Sequence, residues 1–518
     1  MRKVLLALVA ASISTNALAQ EQHDHKTASS GVGSVHFPVS CNAEAQRRMD
    51  RAVAMLHSFW FGEAHKTFES VVQADPGCGV AYWGAAVTQF GNPMGGGTGA
   101  PAQQLGWTEA QKAMQIGARS ARDSAYIAAA SALFKDNDKL NNRERMKLYE
   151  QALGDVVRRF PNDTEGQILH AIMMVATAPP TDMTFSQQKK AADILTPMYL
   201  KQPNHPGLAH YIIHAFDAPP LAHYALQAAR KYAQIAPDAP HALHMPSHTF
   251  TRLGYWDESI VTNRKSMNLE PTPAAKSHAA DYMVYAYLQK GVDDSALVVV
   301  RELTQGDAGA AYATGTTLSY NMLALTARYH LEREDWKSAA TLPVVVSQPQ
   351  NEAVTHFARG LGAARSGDIG GARVEINELN KMVEKLITAK DPYWPITIDA
   401  QRMAVEAWTA HLEGDHGTAL KLAKEAADKE ETVEKHPVTP GPLIPARELY
   451  GDILMLHGKP VEALAAYEKT MEREPNRTRT LYQAVKAAHA VGNHAAAAKY
   501  GAQLKKIVSS KATRFQDM

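Results

Sequence analysis

The feature that most constrains this 518-residue chain is a period of 34 residues. Ala64, Phe68 and Pro76 recur in spacing as Ala191, Leu195 and Pro203, as Ala225, Ala229 and Pro237, as Ser259, Asn263 and Pro271, and near the end as Ala463, Tyr467 and Pro475. Several units also carry a glycine between their two halves, at Gly254, Gly367, Gly414, Gly458 and Gly492. A repeat of this length is one helix pair whose apolar face cannot be buried alone, so neighbouring units must stack into a continuous core. Small residues such as Ala495 to Ala498 suit close helix packing. The periodicity breaks at 91–101, at 305–317 and at 388–398, where glycines and prolines interrupt helical patterning. The first of these lacks the GK[ST] ending of a phosphate loop and reads as a connector.

These spacings and turn glycines resemble the tetratricopeptide repeat family. The resemblance implies an all-α fold, a right-handed superhelical solenoid of antiparallel helix pairs, with the first helix of each repeat lining a concave groove. On this reading residues 1–19 are a signal peptide and 20–40 a flexible leader. Residues 41–304 are an N-terminal array with a histidine-lined groove, 305–398 irregular repeats and linkers, and 399–518 a C-terminal array. In the family, ligands meet positions 2, 5, 9, 12 and 13 of a repeat. Counted from Pro206, position 5 is His210, 9 is His214 and 12 is Asp217; from Pro240, 2 is His241, 5 is His244 and 9 is His248. From Ala274, 5 is His278, 9 is Tyr282 and 12 is Tyr285.

Residues four apart share a helix face, and equivalent helices of stacked repeats lie side by side, so these histidines point into a common space. With 22 histidines in 518 residues, filling five of six matched slots by chance has odds on the order of one in a million before the choice of slots is allowed for. Helices pack about 8–10 Å apart, close enough for ligands on neighbouring helices to reach one ion. Two local rules are broken in the same place. Pro246 lies inside the helix carrying His241, His244 and His248, and Asp217 places a carboxylate in a last helical turn, where the macrodipole disfavours it. The expected cofactor is therefore a transition metal ion, zinc, copper or iron, held by His210, His214, His241, His244, His248 and His278, with Asp217 as a carboxylate ligand and Tyr282 as a neighbouring hydrogen-bonder. The competing reading is a scaffold without metal, whose groove grips a protein or an elongated peptide.

Glu448 and Asp452 fall at positions 5 and 9 of the 444–477 repeat. With Tyr282 they are the weak catalytic candidates for a metal-dependent hydrolase or oxidoreductase, and the bland reading is groove electrostatics. No GxSxG, HExxH or catalytic cysteine motif is present. His57 and His170 read as packed histidines, and His23 and His25 as part of a solvated leader. The segment His241-Ala-Leu-His-Met-Pro-Ser-His with Arg252-Leu-Gly-Tyr-Trp256 resembles an exported bacterial subgroup of the family. So do His205-Pro-Gly-Leu-Ala-His-Tyr, His57-Ser-Phe-Trp-Phe, and His436-Pro-Val-Thr-Pro-Gly-Pro with Pro445-Ala-Arg-Glu-Leu.

Export is also expected from the N-terminus, where Met1-Arg2-Lys3, an apolar run from Val4 to Ile13 and Ala17-Leu18-Ala19 have the parts of a secretory signal peptide. The expected location is a bacterial periplasm, with no membrane insertion. Cleavage removes Arg2 and Lys3, taking 54 basic against 53 acidic residues to 52 against 53. A balanced chain without a basic block offers no footprint for nucleic acid. Cys41 and Cys78 flank the first helix pair, and an oxidising compartment favours a disulfide between them.

Overall fold

The computed structural model describes residues 31–136, 138–305, 319–512 and 514–515. The expected signal peptide, the 20–30 part of the expected leader with His23 and His25, and most of the 305–317 break lie outside the described residues. Among those described, every regular element is a helix, paired with its neighbour in an antiparallel hairpin and stacked on the next pair. The described residues thus form an all-α solenoid of stacked helical hairpins, the architecture expected from the repeat. The repeat slots explain the stacking. Ala64, Phe68, Ala191, Leu195, Ala225, Ala229, Ala463 and Tyr467 are all buried between helices. Gly254 closes its hairpin at φ 71°, a left-handed conformation that a side chain would strain.

The helices that carry the histidines begin at prolines. Pro206–Ala215, Pro240–His244 and Pro273–Gln289 each use proline in the first turn, where its missing N–H has no intrahelical role. His205 and Thr272 cap the first and third through side chains that accept from Leu208 N and Ala275 N. Pro246 has the effect expected of an interior proline. It ends Pro240–His244 and starts Pro246–Leu253, while Met245 between them keeps right-handed helical angles. The two pieces continue one course, so His241, His244 and His248 stay on one face.

Two departures from the sequence reading bear on the site. Residues 31–40 are not a loose leader: Val32 and Phe37 are buried, and Phe37 stacks on Trp83 at 5.1 Å with the Arg122 guanidinium over its other side. Second, the C-terminal repeats return onto the histidine helices. Asn476 donates to Leu253 O at 2.9 Å and its carbonyl accepts from Trp256 Nε1, while Thr478 N donates to Gln289 Oε1 at 2.9 Å. The connection 431–445 packs against the histidine helices and the helix that follows them, anchored by Arg328, which donates to Pro442 O at 2.8 Å, Thr439 Oγ1 at 3.1 Å and Gly441 O at 3.2 Å.

Cys41 and Cys78 are disulfide-bonded, closing a separation of 37 residues around the first helix pair. In the chain-entropy account a loop of this size contributes about 4 kcal/mol. A Cys41→Ser/Cys78→Ser variant is expected to unfold at lower denaturant and to lose its response to reductant; an unchanged midpoint would show that the bond adds nothing. No helix among the described residues is long and apolar enough to cross a membrane.

Candidate metal centre

The six histidines form two triads that differ from simple slot matching. His241, at position 2 of its repeat, joins His210 and His214 from the preceding helix. His244 and His248 join His278 from the following one. Within each triad one nitrogen per residue lies within 4.8 Å of the others. The triads abut, with ring centroids 5.8 Å apart both for His214 to His248 and for His241 to His244. His210, His214, His244 and His248 are buried, and His241 and His278 half-buried.

The rings are oriented by hydrogen bonds on their outer nitrogens. His210 Nδ1 donates to the His57 carbonyl at 2.6 Å, His244 Nδ1 to Asn263 Oδ1 at 2.7 Å, and His248 Nδ1 to Asp217 Oδ2 at 2.9 Å. Each bond fixes the tautomer and leaves Nε2 as a bare lone pair aimed inward, the arrangement that accompanies metal-ligating imidazoles. His210 Nε2, both nitrogens of His214, His241 Nε2 and His278 Nδ1 are buried with no protein partner. His244 Nε2 and His248 Nε2 face each other at 3.0 Å. With both Nδ1 atoms committed to acceptors, two lone pairs confront each other there, and a shared cation relieves that repulsion. Metal–nitrogen bonds of about 2.0–2.1 Å in tetrahedral geometry set ligand nitrogens about 3.4 Å apart, close to this spacing.

Electrostatics keep the donors neutral. Burial drives His210, His214, His241, His244 and His278 well below the ordinary imidazole range, and neighbouring histidines add to the shift. For His248 burial also lowers the pKa, and Asp217 opposes it.

Asp217 is not placed as a ligand. Its Oδ2 also accepts from Lys435 Nζ at 3.1 Å, and its Oδ1 from Arg252 Nε at 2.9 Å. Burial would raise its pKa, but Lys435 and Arg252 hold the carboxyl well below the usual range. These cations, rather than a metal, offset the macrodipole objection, and Asp217 acts as the orienting partner of His248. Tyr282 is a neighbour as expected: its hydroxyl lies 3.3 Å from His248 Nδ1 and donates to Thr439 O at 3.0 Å. Lys435 and Thr439 belong to the 431–445 connection, so the second triad is covered by the chain itself.

Glu448 and Asp452 are buried among arginines rather than facing an open groove. Glu448 accepts from Arg477 Nε at 2.8 Å, from Arg479 Nη1 at 2.7 Å and from Thr480; Asp452 accepts from Tyr467 at 2.9 Å and from Arg479 at 2.5 Å. With their oxygens taken up this way, a structural charge cluster accounts for both. Arg447 points elsewhere, to Glu431 and Asp428. His57 is likewise satisfied, between Tyr211 at 3.0 Å and Glu165 at 2.8 Å, and Glu165 also accepts from His205 at 2.9 Å. That group can hold a metal by distance, yet its hydrogen bonds are complete without one. His170 is half-buried, its pKa lowered by that burial.

Three supports of the site lie outside the histidine pattern. Ser259 and Asn263 replace the alanine and large apolar residue of other repeats, and the structure shows Asn263 receiving His244 Nδ1 and Ser247 while it donates to Ser259 O. That polar pair in a core slot was the available signal. Phe59 packs over the first triad, 4.4 Å from the His210 ring and 5.3 Å from His241. It does so at φ 52°, a conformation that costs a non-glycine residue about 1–2 kcal/mol. The third is Lys435, which no helical spacing connects to Asp217.

No family model matches the chain, and no curated protein does. Among solved structures, a chain of Naa15/Naa10 bound to HypK-THB aligns at 12% identity over 89% of this chain and 70% of its own, with a TM-score of 0.25. The TPR domain of P58(IPK) aligns at 12% identity over 87% and 99%, with a TM-score of 0.22. Superpositions this loose carry no inference about the site.

Proposed function

We propose that the protein is an exported solenoid holding two transition-metal ions side by side, one on His210, His214 and His241 and one on His244, His248 and His278. The observation that carries this reading is the set of buried imidazole nitrogens without partners, together with the two bare Nε2 atoms 3.0 Å apart. A buried polar group left unpaired costs about 1–3 kcal/mol, so a cluster of them needs a reason. With Asp217 committed to Lys435 and Arg252, the donors are imidazoles alone, which favours copper or zinc over iron. Three ligands per ion leave coordination positions vacant, and a metal there supplies Lewis-acid or redox chemistry. Export rests on the N-terminal pattern and the disulfide. The partner-capture alternative has less support at this place, because the chain's own 431–445 connection packs over the second triad.

The test is metal content by mass spectrometry on mature protein purified without a histidine tag, beside a His244→Ala/His248→Ala variant. About two equivalents of one transition metal, falling to about one in the variant, is the expected result. Protein that folds normally, carries no metal and takes up no more added zinc or copper than the His244→Ala/His248→Ala variant would overturn the proposal.

A further inference from the structure

Another histidine group lies on three other helices. His411 is in the last turn of Trp394–Leu412, His416 opens His416–Glu430 after its cap Asp415, and His457 caps the C-terminal end of Ala446–Leu456. These are the turn ends of two successive hairpins, and stacking brings them together. One nitrogen from each lies within 4.8 Å of the others, and His411 Nδ1 is 3.1 Å from His457 Nε2. The rings of His416 and His457 approach to 4.4 Å.

This group differs from the core triads in two ways. It faces water, with His416 exposed and His411 and His457 half-buried. It also uses residues that the proposed centre does not. None of the three forms an ion pair with a carboxylate among the described residues. The His411 and His457 rings meet nearly at right angles, with the 3.1 Å contact between Nδ1 and Nε2 linking them. Protonation would set like charges against one another, and burial together with the neighbouring imidazoles keeps His411 and His457 toward the neutral, ligating form.

We infer that His411, His416 and His457 form a solvent-facing site for a borderline divalent ion, zinc or copper, separate from the core centre. The donor chemistry selects the class: three imidazoles and no carboxylate or carbonyl suit zinc or copper and offer nothing to calcium or magnesium. The 3.1 Å separation already approximates the ligand spacing of a tetrahedral ion, so His416, at an exposed helix start, makes the main adjustment. Water completes the coordination, so the ion exchanges with solution. The site therefore acts in reversible capture.

The experiment is a zinc titration of the tag-free full-length protein by calorimetry at neutral pH, in the wild type, His416→Ala, His411→Ala/His457→Ala and the core variant His244→Ala/His248→Ala. The expected result is one zinc equivalent, beyond any that the core triads take up, whose affinity falls at least about tenfold in His416→Ala. It should vanish in the double variant and persist in the core variant. His416 is exposed, so its replacement leaves the fold intact even if the double variant is compromised. The inference is overturned if His416→Ala binds zinc as the wild type does, or if the uptake disappears only in the core variant. Neither outcome depends on whether the core holds metal.

Discussion

Stripping metal from the loaded protein with a strong chelator is expected to lower its stability by about 4 kcal/mol for each ion that was held at a thousandfold over its dissociation constant. The loss has a structural source. Without a cation, His210 Nε2, His214, His241 Nε2 and His278 Nδ1 return to a buried, unpartnered state, and the His244 and His248 lone pairs face each other again at 3.0 Å. The rings of His210, His244 and His248 are not free to turn toward new partners, because His57 O, Asn263 and Asp217 hold their opposite nitrogens. Thermal unfolding followed by circular dichroism, with and without chelator, measures the effect. The His244→Ala/His248→Ala variant should show a smaller drop, since only the first triad remains. If chelator leaves the wild-type transition unmoved, bound metal contributes nothing to the fold, and the two-ion proposal loses its energetic basis.

Replacing Glu448 with glutamine is expected to destabilise the protein by about 1.5–3 kcal/mol at neutral pH, because Arg477 and Arg479 lose the charged hydrogen bonds to their shared carboxylate while keeping Glu332 and Asp452 as partners. Both guanidiniums are buried, and Arg477 also ties Glu332 and Tyr285 to the C-terminal repeats. The effect depends on pH with a definite sign. Burial would raise the Glu448 pKa, but Arg477 and Arg479 hold it at about 2, below the ordinary glutamate value of 4.5. A depressed carboxyl contributes stability above its unfolded pKa and loses that contribution as pH falls toward its folded one. The gap between wild type and Glu448→Gln should therefore be full above about pH 5 and shrink between pH 4.5 and about 2. Unfolding curves across that range would show it. A gap that stays constant with pH would mean that the carboxylate charge is not what holds the cluster, and that packing alone accounts for the loss.

Much of the core centre was legible because helical spacing is a local property. His210 with His214, and His244 with His248, share helix faces by being four residues apart, and both pairs do so in the structure. The assignment of His241 to the first triad was not legible. It follows from how Pro206–Ala215 and Pro240–His244 pack against each other, which sequence spacing does not encode. Asp217 was recognisable as anomalous, but its partner Lys435 is 218 residues away. The outer group at His411, His416 and His457 escaped notice because its members come from the ends of three helices and obey neither the helical spacing nor the 34-residue period.

By itself the sequence determined the all-α hairpin units, the apolar slots that bury between them, the sharp turn at Gly254, the interruption at Pro246 and the clustering of histidines on consecutive helices. Each of these depends on interactions within a repeat or between adjacent repeats, so a short stretch of chain contains the whole cause. Only the tertiary structure decided that the C-terminal repeats return to the histidine helices and that 431–445 covers the second triad. Only there do Glu448 and Asp452 become arginine-held supports. The physical reason is accumulation. Each repeat adds a small rotation to the stack, and the sum over many repeats determines which distant surfaces meet, while no single repeat carries that sum in its residues.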